Sequence, residues 1–161
     1  MVLVTGGTGF IGERLVSRLI NKSVGFRLIS RRCVPRCETI ISDLQSQSIP
    51  LEAFNDVSTV FHLAALAGDY RNAKDIDQIY RSFNVDVTLR LAELAADSGA
   101  KRFVFVSSVR AAGRPMKGKC MTECDVGEPE AAYGKTKREA EVKLLDISRR
   151  TGLEVTIIRP A

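Results

Sequence analysis

The chain has 161 residues, of which 45% are apolar, and its 24 basic and 19 acidic side chains give a net charge of +5. This length fits one domain with a hydrophobic core, so we take residues 1–161 as one domain. The apolar stretches are too short to span a membrane, and glycines interrupt the amino terminus before a signal peptide could form. We therefore expect a cytoplasmic protein without a membrane partner. The sequence has no stripe of mixed aromatic and basic residues, so the basic excess favours an anionic small molecule over nucleic acid.

The chain opens with an aliphatic run at residues 2–4, followed by closely spaced glycines at residues 5–12, Thr-Gly-Gly-Thr-Gly-Phe-Ile-Gly. Apolar residues then recur at helical spacing, at Ile11, Leu15 and Leu19. The pattern predicts a strand, a tight turn and a helix, which together form a phosphate cradle for a dinucleotide. Gly6 permits the turn and Gly9 lets the backbone approach a pyrophosphate, while the start of the helix offers unpaired N–H groups. Gly12 allows close packing of the helix on the sheet. An ordinary glycine loop is the alternative.

A second strand at residues 26–29 ends in Ser30, Arg31 and Arg32. At this position an acidic residue would bind the adenosine ribose hydroxyl of NAD. Because the chain has a serine and two arginines there, and a guanidinium matches a phosphate, the sequence favours the 2'-phosphate of NADP. The alternative is a solvated basic turn.

Two further strands are predicted at residues 39–41 and 57–61. Asp43 follows the first of them and either caps the next helix or accepts a hydrogen bond from adenine. Small residues follow the second strand, in the sequence His62-Leu-Ala-Ala65, and leave room for a ligand against the sheet. His62 is the only histidine, and we interpret it as structural rather than catalytic.

The middle of the chain predicts one long helix at residues 75–97, with Asn84 at the edge of its apolar stripe, where a buried amide needs partners. The stripe consists of Ile76, Ile79, Phe83, Val87, Leu91 and Leu94. A fifth strand at residues 101–106 then delivers Ser107 and Ser108, and a loop rich in Gly, Pro and Lys follows at residues 111–130. A helix at residues 132–150 and a strand at residues 153–158 complete the chain. The alternation of strands and helices predicts an α/β fold with a doubly wound parallel sheet between two helical layers.

Tyr133 and Lys137 stand one turn apart on the last helix, inside the arc of about 80° that also contains the apolar residues facing the sheet. Both are therefore predicted to point inward, toward the ligand crevice. A phenol with a pKa of about 10 needs a nearby positive charge to act as a base near neutral pH, and Lys137 or an oxidised nicotinamide would supply it. Ser108 would orient a substrate oxygen. A packed tyrosine with a lysine reaching solvent is the alternative.

The four cysteines form two Cys-x3-Cys pairs, at Cys33 and Cys37 and at Cys120 and Cys124. This spacing is within the range that zinc uses, but we favour reduced thiols in two loops and expect no metal.

Taken together, the glycine turn, Ser107-Ser108 and Tyr133-Gly-Lys-Thr-Lys137 resemble the extended short-chain dehydrogenase/reductase superfamily, in its NAD(P)-dependent epimerase/dehydratase branch acting on nucleotide sugars. The resemblance covers essentially the whole chain and implies a Rossmann-like fold. It implies that Asp43 contacts adenine, that Ala64 and Ala65 line the cofactor, that Asn84 supports the active site and that Lys137 holds the nicotinamide ribose. The implied catalytic residues are Ser108, Tyr133 and Lys137. The implied cofactor-binding residues are Gly6, Gly9, Phe10, Ile11, Gly12, Arg31, Arg32, Asp43, Leu44, Ala64, Ala65, Asn84, Tyr133 and Lys137.

The chain departs from this family in two ways. Many members carry Val-Tyr-Gly after the serine, whereas residues 109–113 read Val-Arg-Ala-Ala-Gly, which is closer to bacterial 4-keto-sugar reductases. Members are also usually about twice as long, so a carboxyl-terminal part that binds the sugar nucleotide is expected to be missing. We therefore expect this chain to bind NADP or NAD with little activity, as half of an epimerase, dehydratase or reductase. A cofactor sensor or scaffold is the alternative. The family also suggests a homodimer through the two long helices.

Overall fold

The computed structural model describes residues 1–45, 49–67, 75–114, 118, 122–125, 127–129 and 131–161. These residues contain one parallel sheet of six strands in the order β3-β2-β1-β4-β5-β6. The strands are β1 (Val2–Thr5), β2 (Phe26–Ser30), β3 (Glu38–Ile41), β4 (Thr59–His62), β5 (Arg102–Val106) and β6 (Glu154–Ile158). The strand order reverses direction between β1 and β4, and in open α/β sheets ligands bind at such a switch point, outside the carboxyl ends of the strands.

Helices cover both faces of the sheet, which confirms the predicted three layers. They are α1 (Phe10–Asn21), α2 (Ile76–Arg81), α3 (Thr88–Asp97) and α4 (Ala131–Thr151), with short 3-10 turns at Leu51–Phe54 and Val109–Ala111. Val16 and Leu19 of α1 pack with Val4 and Leu28 on one face. Residues of α3 and α4 pack with Leu3, Val60 and Phe103 on the other face. No helix in the described ranges is long and apolar enough to cross a membrane.

The buried face of α1 differs from the predicted stripe by one residue. Gly12, Val16 and Leu19 are buried, whereas Ile11 is 42% exposed and Leu15 is partly buried. A side chain at position 12 would place its Cβ 2.1 Å from the Gly6 carbonyl oxygen and 2.7 Å from Gly7 Cα. Gly12 therefore permits packing of the helix on the glycine turn itself, rather than on the body of the sheet.

The predicted helix at 75–97 is interrupted by a π-helical turn at Ser82–Val87, between α2 and α3. A π turn holds more residues than an α turn, so it rotates the buried face relative to a 3.6-residue pattern. Asn84 and Val85 lie at the centre of the buried face. The prediction of one regular helix was therefore wrong in its middle, and Asn84, predicted at the edge of the stripe, is one of its fully buried residues.

Helix α4 agrees with the predicted bounds to within one residue at each end. Lys137, Ala140, Leu144 and Ile147 are buried, as predicted, and Tyr133 is half-buried. Gly152 ends the segment with a φ of +76°, which a glycine adopts without strain. The helix therefore carries Tyr133 and Lys137 on the side that faces the sheet.

Candidate active site

A cavity of about 340 Å³ lies at the carboxyl ends of β1, β2, β3 and β4, next to the switch point. It is lined by backbone and small side chains from the glycine turn and from the strand ends. Of the predicted cofactor-binding residues, it contacts Gly6, Gly9, Arg31, Asp43, Leu44, Ala64 and Ala65. Residues from four separate strand ends thus meet around one cavity, whereas Phe10, Ile11, Gly12, Arg32, Asn84, Tyr133 and Lys137 do not line it.

The glycine turn shapes the floor of this cavity. Gly6 has a φ of +70°, and a Cβ there would lie 2.5 Å from the Ala64 nitrogen, so the turn packs directly on the segment after β4. The Gly9 N–H donates to the Gly6 carbonyl at 3.1 Å, and Gly9 accepts the first intrahelical hydrogen bond, from Glu13, at 2.9 Å. The N–H groups of Phe10, Ile11 and Gly12 therefore precede the hydrogen-bond ladder of α1, where an anion is favoured.

These features fit the pyrophosphate of a dinucleotide. A Cβ on Gly9 would meet only the Gly6 oxygen, at 3.4 Å, so it would project into open space beside the turn. The absence of this atom leaves that space to a ligand. The side chains of Phe10 (77% exposed) and Ile11 lie outside the buried core, so any contact with phosphate would come from their backbone.

The residues that follow β2 and β3 lie at the far side of the cavity. Ser30 and Arg31 line it, whereas Arg32 does not, and the Arg32 N–H donates to Ser30 Oγ at 3.4 Å. Asp43 Oδ1 accepts a hydrogen bond from the Gln45 N–H at 3.0 Å. Asp43 therefore closes a local turn rather than caps a described helix, and it also lines the cavity, so its contact with adenine stays a prediction.

His62 is part of a buried chain of hydrogen bonds that runs from Thr5 to Thr88. The Thr88 hydroxyl donates its proton to the Asn84 carbonyl at 2.8 Å. It must therefore accept a hydrogen bond from His62 Nε2, which lies 2.9 Å from it, so the ring proton of His62 is on Nε2. His62 Nδ1 then accepts from the Thr5 hydroxyl at 2.6 Å. Burial, helped by the charge of Lys137, lowers the pKa of His62 to about 3. A permanently neutral histidine that joins β1, β4 and α3 agrees with its interpretation as structural.

Asn84, which is 1% exposed, fixes the segment that lines the cavity after β4. Its Oδ1 accepts from the Leu66 N–H at 2.8 Å and its Nδ2 donates to the Leu66 carbonyl at 3.1 Å. Nδ2 also lies 3.4 Å from the Thr136 hydroxyl of α4. The amide thus has the partners that a buried amide requires, and it connects the cavity wall to the helix that carries Tyr133 and Lys137.

Ser108 and Tyr133 lie near each other, and the Ser108 side chain acts to lower the pKa of the Tyr133 phenol. Ser108 also begins the 3-10 turn, where its Oγ accepts from the Arg110 N–H at 3.2 Å. Gly134 permits this approach, because a Cβ there would lie 2.6 Å from the Arg110 carbonyl oxygen. Neither Ser108 nor Tyr133 lines the cavity at the glycine turn.

The pKa of Tyr133 is raised rather than lowered. Burial raises it, and the Ser108 hydrogen bond and the positive charge of Arg110 act against that effect without overcoming it. Lys137 is not among the groups that act on the phenol, so the expectation that it lowers the pKa of Tyr133 is not met in this structure. Sequence reasoning missed Arg110, although its position two residues after Ser108 was the available signal.

Lys137 is fully buried, with 1% of its surface exposed. Its Nζ donates to the Val106 carbonyl at 2.7 Å and lies 4.1 Å from the centre of the Phe105 ring. Burial lowers the pKa of Lys137 to about 7, and the negative charge of Glu141 acts in the opposite direction. The prediction that Lys137 points inward is confirmed, and the alternative of a lysine that reaches solvent is wrong.

The cysteine pairs show no metal geometry in the part of the chain that the structure describes. Cys33 and Cys124 are exposed and Cys37 is half-buried, all as free thiols, while Cys120 lies outside the described residues. Among the described residues no group of three or more His, Cys, Asp or Glu side chains could hold a metal ion.

A parallel sheet of this strand order, with a glycine turn and a cavity at its switch point, defines a dinucleotide-binding fold of the Rossmann class. The chain belongs to the NAD dependent epimerase/dehydratase family, whose model matches residues 2–161.

The chain is similar both to a nucleotide-sugar epimerase and to a steroid dehydrogenase. A UDP-glucose 4-epimerase of Vibrio cholerae is 35% identical, over 99% of this chain and 50% of the epimerase. A 3-beta-hydroxysteroid dehydrogenase of Mycolicibacterium neoaurum is 29% identical, over 99% of this chain and 46% of the dehydrogenase. The solved structure of MoeE5 in complex with UDP-glucuronic acid and NAD is 35% identical with a TM-score of 0.83, over 97% of this chain and 52% of that chain. This chain therefore spans about half the length of the curated relatives it matches.

Proposed function

We propose that residues 1–161 are the NAD(P)-binding and catalytic half of a longer oxidoreductase or epimerase that acts on a nucleotide sugar. The packing of α4 on the end of β5 carries this proposal, because the close approach of Gly134 to Arg110 and the hydrogen bond from Lys137 to Val106 place Tyr133 beside Ser108. Both side chains can handle a substrate hydroxyl. Family membership and the similarity to a UDP-glucose 4-epimerase support the substrate class. The residues beyond this half would bind the sugar nucleotide and exclude water from it.

The residues around the cavity would hold the cofactor. The backbone of Gly9, Phe10 and Ile11 would bind the pyrophosphate, Asp43 the adenine, and Ala64 and Ala65 would pack against the bound molecule. When bound, the nicotinamide supplies a hydride acceptor or donor. Asn84 would keep the Ala64–Ala65 wall in place through its two hydrogen bonds to Leu66.

Tyr133 would exchange a proton with the substrate hydroxyl while Ser108 holds the oxygen in line. The Ser108 hydroxyl is suited to this task because the Arg110 N–H occupies one of its acceptor positions and leaves its proton free to be donated. Burial raises the pKa of Tyr133, so the phenol keeps its proton and can donate it to a keto oxygen when the carbon receives the hydride. Removal of a substrate proton in the opposite direction requires additional positive charge near the phenol. Arg110 supplies part of it, and an oxidised nicotinamide would add more.

Lys137 would hold the nicotinamide ribose and place its ammonium beneath the reacting groups. Its present acceptor is the Val106 carbonyl, two residues before Ser108. Because its pKa is about 7, the lysine is only partly protonated at neutral pH, and a bound ribose hydroxyl would be an additional acceptor for its protons.

Between the possible reactions we favour a 4-keto reductase over a 4-epimerase, because residues 109–113 lack the Val-Tyr-Gly sequence. The full-length protein should be incubated with UDP-glucose and NAD, and separately with a 4-keto sugar nucleotide and NADPH. A reductase consumes NADPH in the second mixture and leaves UDP-glucose unchanged in the first. Formation of UDP-galactose in the first mixture would instead indicate an epimerase.

We also propose a preference for NADP. Arg31 lines the cavity after β2, beside Ser30, where a carboxylate would otherwise repel the 2'-phosphate. A calorimetric titration of this chain should give tighter binding of NADPH than of NADH. Tighter binding of NADH would refute the preference.

For the 161-residue chain itself we expect cofactor binding with little turnover, because the groups that hold and desolvate the sugar would lie in the second half. Robust turnover by the isolated chain would contradict this expectation. A sensor that binds the cofactor without chemistry is disfavoured by the buried position of Lys137 and by its hydrogen bond to the strand end that carries Ser108. We further propose a homodimer through the outer surface of α3 and α4, where Val142 and Leu145 are exposed. A monomer in sedimentation analysis would refute it.

A further inference from the structure

The carboxylate of Glu141 lies buried one helical turn after Lys137 and has no place in the reaction described above. It is 1% exposed and binds four donor atoms. Oε1 accepts from Ser107 Oγ at 2.6 Å and from Arg159 Nε at 2.9 Å. Oε2 accepts from Arg159 Nη2 at 2.7 Å and from Arg138 Nη1 at 3.3 Å. The carboxylate thus connects α4 to the residue after β5 and to the residue after β6.

Stability alone does not account for this network. Burial of a carboxylate is costly, and apolar side chains of similar volume often give a protein that is as stable as one with a buried ion pair. Here burial would raise the pKa of Glu141, but the hydrogen bonds from Arg159 and Ser107 and the charges of Arg159 and Arg138 hold it below its ordinary value. The group is therefore a permanent anion with fixed partners.

The partners of Glu141 lie next to the catalytic groups. Ser107 is adjacent to Ser108, and its N–H donates to the Ile158 carbonyl at 2.7 Å. Helix α4 contacts the carboxyl end of β5 at three successive turns. Gly134 packs on the Arg110 backbone, Lys137 donates to the Val106 carbonyl, and Glu141 accepts from Ser107. The relative position of Ser108 and Tyr133 therefore depends on these three contacts.

We propose that Glu141 is a positioning residue, whose carboxylate sets the register of the helix that carries Tyr133 and Lys137 against the strand end that carries Ser108. The proposal rests on the proposed function, because the relative position of Ser108 and Tyr133 matters only if both residues act on a substrate. Glu141 also acts on Lys137 through its charge, since it opposes the effect of burial on the lysine. Among the described residues, His62 of β4 also lies near Lys137 and stays neutral, and Arg138 and Arg159 are bonded to Glu141.

The test uses the 161-residue chain with two substitutions and one control. Glu141→Gln keeps the shape and removes the charge, while Ser107→Ala removes only the hydrogen bond from the strand end. Glu154→Gln is the control, because Glu154 forms a 2.6 Å ion pair with Arg102 on the exposed surface. The titration of Lys137 is followed by NMR of lysine side chains, and that of Tyr133 by ultraviolet absorbance. Lys137→Met and Tyr133→Phe assign the two signals, and urea unfolding verifies that each variant is folded.

Glu141→Gln should lower the titration midpoint of Lys137 by about one pH unit, because the lysine loses its nearest negative charge. Ser107→Ala should raise the midpoint of Tyr133, because the Ser108 hydrogen bond weakens when the helix and strand end lose their register. Glu154→Gln should move neither midpoint. Unchanged midpoints in folded Glu141→Gln and Ser107→Ala would overturn the proposal. If Glu141→Gln does not fold, an unchanged Tyr133 midpoint in Ser107→Ala overturns it alone.

These titrations need neither substrate nor cofactor, so they are separate from the test of the proposed function. If the chain binds neither NAD(H) nor NADP(H) in calorimetry, the proposed function fails while the role of Glu141 in positioning the helix is still decided by the two midpoints. If the chain binds cofactor and both midpoints stay unchanged, only the role of Glu141 fails.

Discussion

The two halves of the site are built in different ways. The phosphate cradle after β1 consists of backbone, and its shape follows from missing side chains at Gly6, Gly9 and Gly12. The reacting half, between β5 and α4, consists of buried polar side chains that hold one another, with Lys137 and Glu141 at its centre. An added atom should therefore disrupt folding and cofactor binding at the cradle, whereas the loss of a charge or a hydrogen bond should disrupt the chemistry of the reacting half.

The largest expected effect comes from adding one methyl group to the cradle. Gly12→Ala places a Cβ 2.1 Å from the Gly6 oxygen. It should lower the free energy of unfolding by about 2–4 kcal/mol and abolish cofactor binding. Gly25→Ala is the matched control, because a Cβ there meets no atom within 4 Å. Urea unfolding and calorimetry measure the two effects. Equal stability of the two variants would show that the turn can adjust to a side chain.

In the reacting half, removal of the phenol hydroxyl should abolish the chemistry and leave binding intact. Tyr133→Phe in the full-length protein should lower kcat by about 10²–10⁴-fold, with the affinity for the cofactor little changed. Arg149→Ala, at an exposed residue in the last turn of the same helix, is the control. A loss of cofactor affinity as large as the loss of kcat would mean that Tyr133 serves mainly to bind.

The buried lysine predicts a pH dependence of stability. The folded pKa of Lys137 is about 7 and its ordinary value is 10.5, so the unfolded chain holds the proton more tightly between these values. Stability therefore rises with pH through this window, and the cost of burying the charge is fully present below pH 7. Between pH 7 and pH 9, the free energy of unfolding of the unmodified chain should therefore rise by about 2 kcal/mol relative to that of Lys137→Met. A constant difference would show that Lys137 titrates normally.

The smallest expected effect concerns the basic residues after β2. Arg31→Ala should weaken NADPH binding by about tenfold and leave NADH binding unchanged, since only the 2'-phosphate loses a charge-assisted partner. Arg32→Ala should have a smaller effect, because Arg32 does not line the cavity. Arg36→Ala, further along the same connection, serves as the control. An equal loss for both cofactors would mean that the arginines act on the fold or on the shared pyrophosphate.

The difference between a cradle made of backbone and a reacting half made of side chains also explains which features the sequence could predict. The doubly wound parallel sheet, the glycine turn and the inward direction of Lys137 were accessible, because the alternation of strands and helices, glycine spacing and helical periodicity can all be recognised in the sequence. The π turn at Ser82–Val87 was not, because its buried face includes the amide that binds the distant Leu66. The Glu141 network was not predicted either, because Ser107 and Arg159 are far apart in sequence and meet only when β5 and β6 pair. The position of Glu141, one turn after an inward lysine, was the signal that could have indicated it.

The assignment of Tyr133 and Ser108 to proton exchange on a nucleotide sugar is tested most directly by isotope transfer. The full-length protein is given NADPH with deuterium at the reactive carbon and a 4-keto sugar nucleotide, and the sugar product is analysed by mass spectrometry. The unmodified protein should place deuterium on the sugar ring, and Tyr133→Phe should do so at least about 100-fold more slowly. Deuterium transfer at a near-normal rate in Tyr133→Phe would contradict this account.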